Sequence, residues 1–600
     1  MAAGRTSFAA FLVSVFLLLL THAYYPKWQM PATEATISWD VSGYYFYLPA
    51  AFIYKDLKKV AFRDSIVQAY GMSKAPYQAY NHPSGNRVMK YSAGMAVQYL
   101  PFFALGHAAA RASSYPADGF SRPYQMAISL GSLLVAILGL WYLRKVLGRY
   151  FSDSATAFTL LLITLATNYL NYAAIDHAMT HNWLFTLYAL LMWQSLRYYE
   201  GPSWWRALAI GATVGLMALT RPTEIIALLL PLLWGVRSWD GLLERVRFFL
   251  QPQGIGHLLV AGVGVAALGS LQLLYWQYAV GEWLVYSYQD QGFSWLNPHL
   301  WEGFFSGRAG WLVYTPAMAM ALIGFLPLFG KHPGLWVPAL LFSALFIYIA
   351  FAWDIWWYGG SLGQRAMVQA YPVLALPLAA LADWAWPRIG LRALLIGAGL
   401  LCTGYNLWLT HQAHRGGLFV SEQMTLPYLR AALFRMEVPE EARKLLDTPE
   451  LYPGTPQRLA LLDHLDFEQD SVAHDCPIPP IAGERSFCLS PAQPFTPALT
   501  APASAITTPW VRVEGAFRCH QKEWEYWRMA QLTLKFKRGG EAVQTRFFRV
   551  FRLMGPNSTR TLYLDARVPE AGFDQVEAFV WQAESDKPLA IDDLKLYGVE

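Results

Sequence analysis

The sequence predicts a multi-pass α-helical membrane protein that carries an all-β sandwich at its C-terminal end. Of its 600 residues, 55% are hydrophobic and only 14% are charged, whereas soluble domains carry about 25% charged residues. The apolar residues collect in runs of roughly 20, the length that a helix needs to cross a bilayer. In the last part of the chain the pattern changes to alternation of apolar and polar residues, which is typical of strands.

Hydropathy predicts about eleven membrane spans. The first, 7–23, has a cleaved signal peptide as its alternative, because Thr21-His22-Ala23 resembles a loose cleavage site. The other predicted spans are 122–143, 155–170, 179–198, 205–220, 224–236, 255–280, 310–329, 335–352, 366–386 and 391–410.

Residues 24–121 form a long mixed segment between the first two predicted spans. Its two apolar pieces, 44–57 and 91–110, are interrupted by Gly, Pro or polar residues. Short amphipathic segments of this kind lie on the membrane rather than cross it. The alternative is that 95–110 is a further span.

The distribution of basic residues decides between these arrangements. With the N-terminus inside and 24–121 outside, every cytoplasmic loop is basic, as the positive-inside rule requires. The residues concerned are Arg144, Lys145, Arg149, Arg206, Arg237, Arg245, Arg247, Lys331, Arg388 and Arg392. A span at 95–110 would place the Arg144–Arg149 cluster outside, so the first arrangement is favoured. The same scattering of Lys and Arg argues against a nucleic-acid partner.

The chain after residue 410 is then extracytoplasmic. We predict a linker with short helices at 411–461 and a jelly-roll-like β-sandwich at 462–600, because short alternating strands are separated by Gly, Pro and Asn turns. The aromatic residues of this sandwich indicate either an accessory role in binding an acceptor glycan or ordinary core packing. Among its cysteines, proximity suggests a Cys476–Cys488 disulfide.

The first external segment contains a carboxylate with a distinctive context. Asp40 lies in Ile37-Ser-Trp-Asp-Val-Ser-Gly-Tyr-Tyr-Phe-Tyr-Leu-Pro-Ala50. Aromatic neighbours would partly desolvate it and raise its pKa, which suits a general base that takes a proton from an acceptor hydroxyl. The alternative is that Asp40 only caps the following helix.

An Asp after the first membrane helix, followed by Tyr-Tyr-x-Tyr-x-Pro, resembles the GT-C glycosyltransferases. These include bacterial lipid A aminoarabinose transferases and protein O-mannosyltransferases. The resemblance covers residues 1–410 in layout. Further matching pieces are Lys90-Tyr-Ser-Ala-Gly-Met, Leu219-Thr-Arg-Pro222 and Trp353-Asp-Ile-Trp-Trp-Tyr-Gly-Gly-Ser-Leu-Gly-Gln-Arg365. Many relatives carry two adjacent acids in the first loop, whereas this chain has Trp39-Asp40.

The resemblance implies a catalytic Asp40 and a donor site that binds the phosphate and sugar of a polyprenyl-phosphate sugar. Donor-site roles are implied for Lys90, Arg365, Tyr44, Tyr45 and Asp354. A point cation at Lys90 and a guanidinium fork at Arg365 suit phosphate. Their alternatives are an interfacial lysine that extends to the headgroups and an interfacial anchor.

A second acidic and polar site is predicted from Asp176, His177, His181 and Arg221. Asp176 matches the position of a second acidic site in the superfamily. His177 and His181 are four residues apart and share a face if helical, which permits zinc with an added carboxylate. There is no His-Glu-x-x-His pattern. No cofactor is therefore certain, and a divalent metal is left open.

Together these features predict a glycosyltransferase of the bacterial inner membrane with its C-terminal domain in the periplasm. Its partners would be a polyprenyl-phosphate sugar, membrane lipid and a glycan, lipid or protein acceptor. The alternatives are a transporter or flippase of a lipid-linked saccharide, and a non-catalytic scaffold that uses the sandwich to bind glycans.

Overall fold

The computed structural model describes residues 4–468, 477–520, 528–582 and 587–600. Its internal contacts divide the chain into two compact units, Met1–Glu422 and Gln423–Glu600. The first unit is helical and the second is rich in β-strands, so the predicted combination of membrane helices with a C-terminal β-rich region is confirmed.

The helical unit contains nineteen of the α-helices in the described part of the chain. They are α1 (Arg5–Tyr24), α2 (Trp39–Tyr45), α3 (Tyr47–Phe52), α4 (Arg63–Tyr70), α5 (Gly94–Arg111), α6 (Arg122–Tyr150), α7 (Asp153–Leu165), α8 (Tyr169–Ala174), α9 (Thr180–Glu200), α10 (Trp204–Thr220), α11 (Leu229–Leu233), α12 (Trp239–Leu250), α13 (Pro252–Val280), α14 (Leu300–Phe305), α15 (Trp311–Tyr314), α16 (Ala317–Lys331), α17 (Pro333–Ala352), α18 (Tyr371–Ala385) and α19 (Ile389–His411).

Six helical segments among the described residues are long and apolar enough to cross a membrane. They are Arg5–Gln29, Arg122–Tyr150, Pro252–Val280, Pro333–Ala352, Arg365–Ala385 and Ile389–Gly416. Shorter apolar helices cover Asp153–Leu165, Trp204–Thr220, Pro222–Leu233 and Ala317–Lys331. The protein is therefore a multi-pass membrane protein.

Contacts between helix ends define two opposite ends of the helical unit. At the first, the backbone N–H of Thr6 donates to Asp153 (2.8 Å) and Arg144 donates to the carbonyl of Gly4 (3.0 Å). Ion pairs join Arg149 to Glu200 and Lys331 to Asp383 at this same end. We call it the Arg149 end. The opposite end, where α1 finishes, holds Asp40 and is called the Asp40 end.

The segment between α1 and α6 begins and ends at the Asp40 end of the helical unit. α6 begins at the Asp40 end, because its C-terminal residues pair with the start of α1. Gly106 of α5 lies against the first turn of α6, and Gly94 lies against Thr220 at the end of α10. Gly94 and Gly106 of α5 therefore both contact residues at the Asp40 end. The segment also contains a hairpin that the sequence pattern did not predict, β1 (Ala79–Asn81) paired with β2 (Arg87–Met89).

Small residues let α10 approach α13 closely. Gly211 and Gly215 form a Gly-x-x-x-Gly pair on α10, a spacing that brings membrane helices into backbone contact. A Cβ atom added at Gly211 would lie 2.0 Å from the carbonyl oxygen of Ala261 on α13. On the same helix α13, a Cβ added at Gly269 would meet nothing within 4 Å.

The β-rich unit begins with a short helix, α20 (Leu426–Ala432), and a 3-10 turn at Glu440–Leu446. Its strands are β3 (Leu459–Leu465), β4 (Phe487–Leu489), β5 (Leu499–Pro502), β6 (Trp510–Cys519), β7 (Gln531–Arg538), β8 (Glu541–Arg549), β9 (Ser558–Arg567), β10 (Gln575–Trp581) and β11 (Leu589–Val599). They form two antiparallel sheets, ordered β5-β10-β7-β8 and β3-β11-β6-β9, with β4 also paired to β11.

Both sheets contribute to one hydrophobic core. The alternating positions Leu532, Leu534 and Phe536 on β7 are buried against the same cluster as Val511 and Val513 on β6. The strands predicted from period-two alternation are thereby confirmed. Cys488 is disulfide-bonded, and Cys476, its predicted partner, lies outside the described residues.

The close packing of α10 on α13 predicts the effect of adding bulk there. Gly211→Leu should lower the midpoint of thermal unfolding in detergent, because overpacking a tight contact costs about 1–3 kcal/mol. Gly269→Leu is the matched control, since the same side chain enters open space, and it should leave the midpoint unchanged. Equal midpoints for the two variants would contradict this account of the helix pair.

Candidate functional site

A cavity of about 310 Å³ opens at the Asp40 end of the helical unit. Its polar side is formed by ionisable and amide side chains from distant parts of the sequence: Asp40, Lys90, Arg221, Glu224, Arg365 and Gln369. Its other side is apolar and includes Phe346, Ile349 and Ala350 of α17. A site of this size that joins charged groups to an apolar wall suits an amphipathic ligand.

Asp40 makes three hydrogen bonds at the polar side of the cavity. Its Oδ1 accepts from the hydroxyls of Tyr91 (2.7 Å) and Tyr77 (3.1 Å), and its Oδ2 accepts from Nη2 of Arg365 (2.9 Å). The side chains of Asp40 and Arg365 are 21% and 16% exposed, so this ion pair is largely withdrawn from solvent. The predicted catalytic residue is therefore held rigidly at the cavity.

The chain enters the Asp40 helix through an unusual backbone conformation. Trp39, the first residue of α2, has φ of +44°, which is costly for a bulky residue. Its N–H donates to the carbonyl of Met72 (2.9 Å), which helps to hold the bend. Such strain is found most often where a functional side chain must be aimed. Here the residue that follows is Asp40.

Arg365 is positioned by the Gly-rich loop that precedes it. Gly363 has φ of +63°, and a Cβ there would lie 2.7 Å from Cβ of Tyr314, so only glycine fits. Asn168 donates to the carbonyl of Leu362 (3.1 Å) and fixes the loop. The buried Nε of Arg365 has no hydrogen-bond partner among the described residues. The described residues therefore do not saturate the donors of this guanidinium.

Lys90 follows β2 directly and lies within a group of tyrosines. Its ammonium is 5.4 Å from the ring centre of Tyr77, 5.7 Å from that of Tyr91 and 5.9 Å from that of Tyr288. In the described part of the chain, no carboxylate lies within ion-pair distance of it. Aromatic rings stabilise a cation without neutralising it, so Lys90 presents its charge to the cavity.

The expectation that Asp40 has a raised pKa is wrong. Burial does raise it and is the largest single influence. The charge of Arg365, the hydroxyls of Tyr91 and Tyr77, and the charge of Lys90 together outweigh burial and hold the pKa of Asp40 below its ordinary value. Sequence context indicated the aromatic neighbours but not that two of them donate hydrogen bonds or that a guanidinium lies opposite.

The four residues of the predicted second polar site do not lie together in the structure. Arg221 lines the same cavity as Asp40, with its guanidinium 5.5 Å from the ring centre of Tyr358. His181 lies behind the cavity wall and donates from Nδ1 to Oε1 of Gln369 (3.1 Å). Gln369 in turn donates to the buried Glu224, which also accepts from Tyr188 (2.5 Å). This network connects His181 to the cavity without exposing its Nδ1.

Asp176 and His177 lie away from the cavity. Asp176 accepts from Lys27 (2.6 Å) and from Asn171 (2.9 Å). Burial raises its pKa, but Lys27 opposes this and the net shift is downward. His177 donates from Nδ1 to the carbonyl of Ile175 and accepts at Nε2 from Ser129 (2.9 Å), so both ring nitrogens are occupied. The described residues include no group of three His, Cys, Asp or Glu side chains placed to hold a metal ion.

Of the remaining residues predicted for the sugar-donor site, one lines the cavity and two do not. Tyr44 lines the cavity and packs against Tyr91, with ring centres 4.5 Å apart. Tyr45 points into the core, where its hydroxyl donates to the carbonyl of Gly119 (2.6 Å). Asp354 accepts from the N–H of Gly292 (2.7 Å) and so holds the loop that supplies several cavity side chains. Neither Tyr45 nor Asp354 lines the cavity.

Sequence reasoning missed several residues of the cavity. They include Tyr91 and Tyr288, which line the cavity, and a further missed residue is Tyr77, which donates to Asp40 behind it. Tyr91 follows Lys90 directly, within a motif quoted for the resemblance. Glu224 follows Arg221-Pro222 at the start of a predicted helix, so the sequence favours a structural role for it near the helix dipole. Gln369 is marked only as a polar residue in apolar surroundings.

Comparison with known proteins supports the resemblance that the motifs predicted. Residues 121–251 match a family model described as dolichyl-phosphate-mannose-protein mannosyltransferase. This segment contains Asp176, His177, His181, Arg221 and Glu224. A search of curated proteins found no match.

Two of the solved structures to which this chain is similar, in fold alone, are as follows. One is the archaeal oligosaccharyltransferase AglB from Archaeoglobus fulgidus, solved with an inhibitory peptide and a dolichol-phosphate, at 13% identity and a TM-score of 0.41 over 76% of this chain and 60% of that one. The other is the arabinosyltransferase EmbB from Mycobacterium smegmatis, at 12% identity and a TM-score of 0.40. This match covers 99% of this chain and 64% of the EmbB chain. The chain thus spans less than two thirds of either protein. In its family match, this chain resembles the membrane glycosyltransferases of the GT-C class.

Proposed function

We propose that the protein transfers a sugar from a polyprenyl-phosphate donor to a hydroxyl-bearing acceptor in the cavity at the Asp40 end. One observation carries the proposal. Asp40, Lys90 and Arg365 belong to one cavity although 275 residues separate Lys90 from Arg365. A carboxylate beside two cations is the combination that a proton acceptor and a phosphate leaving group require.

The two sides of the cavity match the two parts of the donor. The phosphate would lie between Lys90 and Arg365, where an ammonium and a guanidinium both stabilise negative charge. The polyprenyl chain would follow Phe346, Ile349 and Ala350 on α17, which lie on the apolar side. The sugar would then stand against the aromatic and amide groups that include Tyr44 and Gln369.

In the proposed reaction the acceptor oxygen attacks the anomeric carbon of the donor sugar. The new bond joins that oxygen to the carbon, and the bond between the carbon and the phosphate oxygen breaks. The electron pair leaves with the polyprenyl phosphate and is stabilised by Lys90 and Arg365. The proton of the acceptor hydroxyl passes to Asp40.

Donor binding would also change the basicity of Asp40. In the structure its Oδ2 is bound by Arg365 (2.9 Å), which disfavours protonation. A phosphate that draws the guanidinium toward itself would weaken this hydrogen bond and raise the proton affinity of Asp40. The base would thereby become stronger when the donor is in place.

The finer topology belongs to the same proposal. We infer about eleven spans in a GT-C-like arrangement at 1–410, a linker at 411–461 and a jelly-roll-like sandwich at 462–600 that helps to bind the acceptor. The Arg149 end would face the cytoplasm of a bacterial inner membrane, because the basic loop residues collect there. The Asp40 end and the C-terminal unit would face the periplasm.

A flippase for a lipid-linked saccharide is the main alternative. Transporters place their ionisable groups near the middle of the membrane between repeated halves. Here the charged groups of the cavity lie at one end, and two of its lining residues, Glu224 and Gln369, bind each other, while Glu224 also accepts from the buried Tyr188. Release of free polyprenyl phosphate from the donor identifies transfer, whereas movement of intact donor between leaflets identifies flipping.

Replacement of the carboxylate tests the role of Asp40. Asp40→Asn should retain the fold and lower turnover by about 10²–10⁴-fold, the usual contribution of a general base. Turnover is measured with radiolabelled polyprenyl-phosphate sugar in detergent. Glu34→Gln removes an exposed carboxylate from the same external segment and should leave turnover unchanged. A fully active Asp40→Asn variant would remove the mechanism.

Removal of the ammonium tests the phosphate site. Lys90→Met should weaken donor use by about 10–100-fold, since a hydrogen bond to a charged group contributes about 1.5–3 kcal/mol. Lys58→Met is the matched control, because the Lys58 ammonium also lies over an aromatic ring, 4.6 Å from the centre of Tyr278, but outside the cavity. Steady-state kinetics against donor concentration would show an unchanged kcat/KM for Lys90→Met if the assignment is wrong.

The acid limb of the pH profile tests the electrostatics of Asp40. Its pKa lies below the ordinary 3.8, so the carboxylate stays ionised and kcat/KM should change by less than about twofold between pH 7 and pH 5. Arg365→Gln removes the main charge that opposes burial, so the pKa should rise and the acid limb should move to higher pH. An unmoved limb in that variant would show that Arg365 does not set the protonation of Asp40.

A further inference from the structure

A second cavity, of about 460 Å³, lies at the Arg149 end of the helical unit. Its lining comes from the C-terminal ends of α6, α9 and α16, the loop after α11, one residue of α12 and the start of α17. Four cations line it: Arg149, Arg237, Arg245 and Lys331. None of these residues belongs to the Asp40 cavity, so the two cavities are separate.

Backbone contacts build the wall of this cavity. The N–H of Gly235 donates to the carbonyl of Gly334 (2.9 Å), and a Cβ at Gly334 would lie 3.1 Å from Cα of Gly235. Gly235 itself has φ of +84°. The indole N–H of Trp234 donates to the hydroxyl of Tyr150 (3.1 Å). The loop after α11 is thus fixed against α6 and α17, and the cavity is a defined part of the fold.

The charges of the cavity are only partly compensated. Arg149 pairs with Glu200, and Lys331 pairs with Asp383 (3.2 Å). Arg245 donates to the carbonyl of Trp234 (2.8 Å), and its guanidinium stacks on Tyr199, 3.8 Å from the centre of that ring. Neither Arg245 nor Arg237 has a carboxylate partner among the described residues. Two positive charges therefore face the cavity without neutralisation.

The helix beside the cavity indicates its depth relative to the membrane. On α12, the exposed side chains Trp239, Leu243, Val246 and Leu250 are spaced by four, three and four residues and so form one apolar face. A short helix with one exposed apolar face and several charges lies in the membrane interface. Arg245 comes from a different side of α12 and lines the cavity. The cavity is therefore level with lipid headgroups.

We propose that this cavity binds the headgroup of an anionic phospholipid of the leaflet at the Arg149 end. The cations without a carboxylate partner suit its phosphate. Basic pockets between membrane helices on the cytoplasmic side, which the topology proposed above assigns to this end, recognise such headgroups. The apolar wall that Trp234, Tyr199 and Leu335 provide suits the glycerol and the first acyl carbons. A soluble anion would use the cations but gain nothing from this wall or from the interfacial position.

Native mass spectrometry of the delipidated full chain in detergent tests the proposal. The probes are phosphatidylglycerol and phosphatidylcholine with identical acyl chains, and glycerol phosphate as the soluble analogue. Wild type should bind phosphatidylglycerol in preference to both. Arg237→Gln should lower that affinity about fivefold, because one cation at the membrane surface contributes about 1 kcal/mol.

Two further variants keep the test decisive. Arg247→Gln removes the same charge from α12 outside the cavity and should bind phosphatidylglycerol like wild type. Arg237→Lys retains the charge and should restore most of the affinity, which separates loss of charge from loss of fold. Equal phosphatidylglycerol binding by Arg237→Gln and wild type would overturn the proposal. So would equal binding of the two phospholipids by wild type, or glycerol phosphate binding as tight as that of phosphatidylglycerol.

Discussion

The ion pair between Asp40 and Arg365 is the interaction on which the rest of the site depends. It joins two residues that are 325 positions apart in the chain, one just after the first membrane helix and one at the start of a late one. In surroundings of low polarity, either charge alone would be costly. Their pairing fixes the segment between α1 and α6 against the Gly-rich loop and so helps to define the cavity between them.

The tyrosines around this pair give the site its particular chemistry. Hydroxyls from Tyr77 and Tyr91 complete the hydrogen bonds of Asp40, while the rings of the same residues surround the Lys90 ammonium. One group of side chains therefore keeps a carboxylate ionised and a cation available within a small space. This arrangement stabilises separated charges before a substrate arrives, which is the condition for electrostatic catalysis.

Charge also distinguishes the two ends of the helical unit. At the Asp40 end, ionisable groups are drawn inward and bind one another around a cavity with one apolar side. At the Arg149 end, arginines and lysines pair only partly and lie beside an interfacial helix. In the orientation and the lipid site that we propose, the same basic residues would face the cytoplasm and bind lipids of that leaflet.

The sequence by itself determined the class of fold, because membrane spans and strands both have local sequence patterns. Spans are apolar runs of roughly 20 residues, and strands alternate apolar and polar residues. Its aromatic context also made Asp40 a candidate, and the resemblance of its motifs to GT-C glycosyltransferases added Lys90 and Arg365. Only the tertiary structure decided which of the candidates meet. Tyr45 and Asp354 stand beside cavity residues in the sequence yet face the core and a supporting loop. The pKa direction of Asp40 likewise depends on an arginine that no local pattern connects to it.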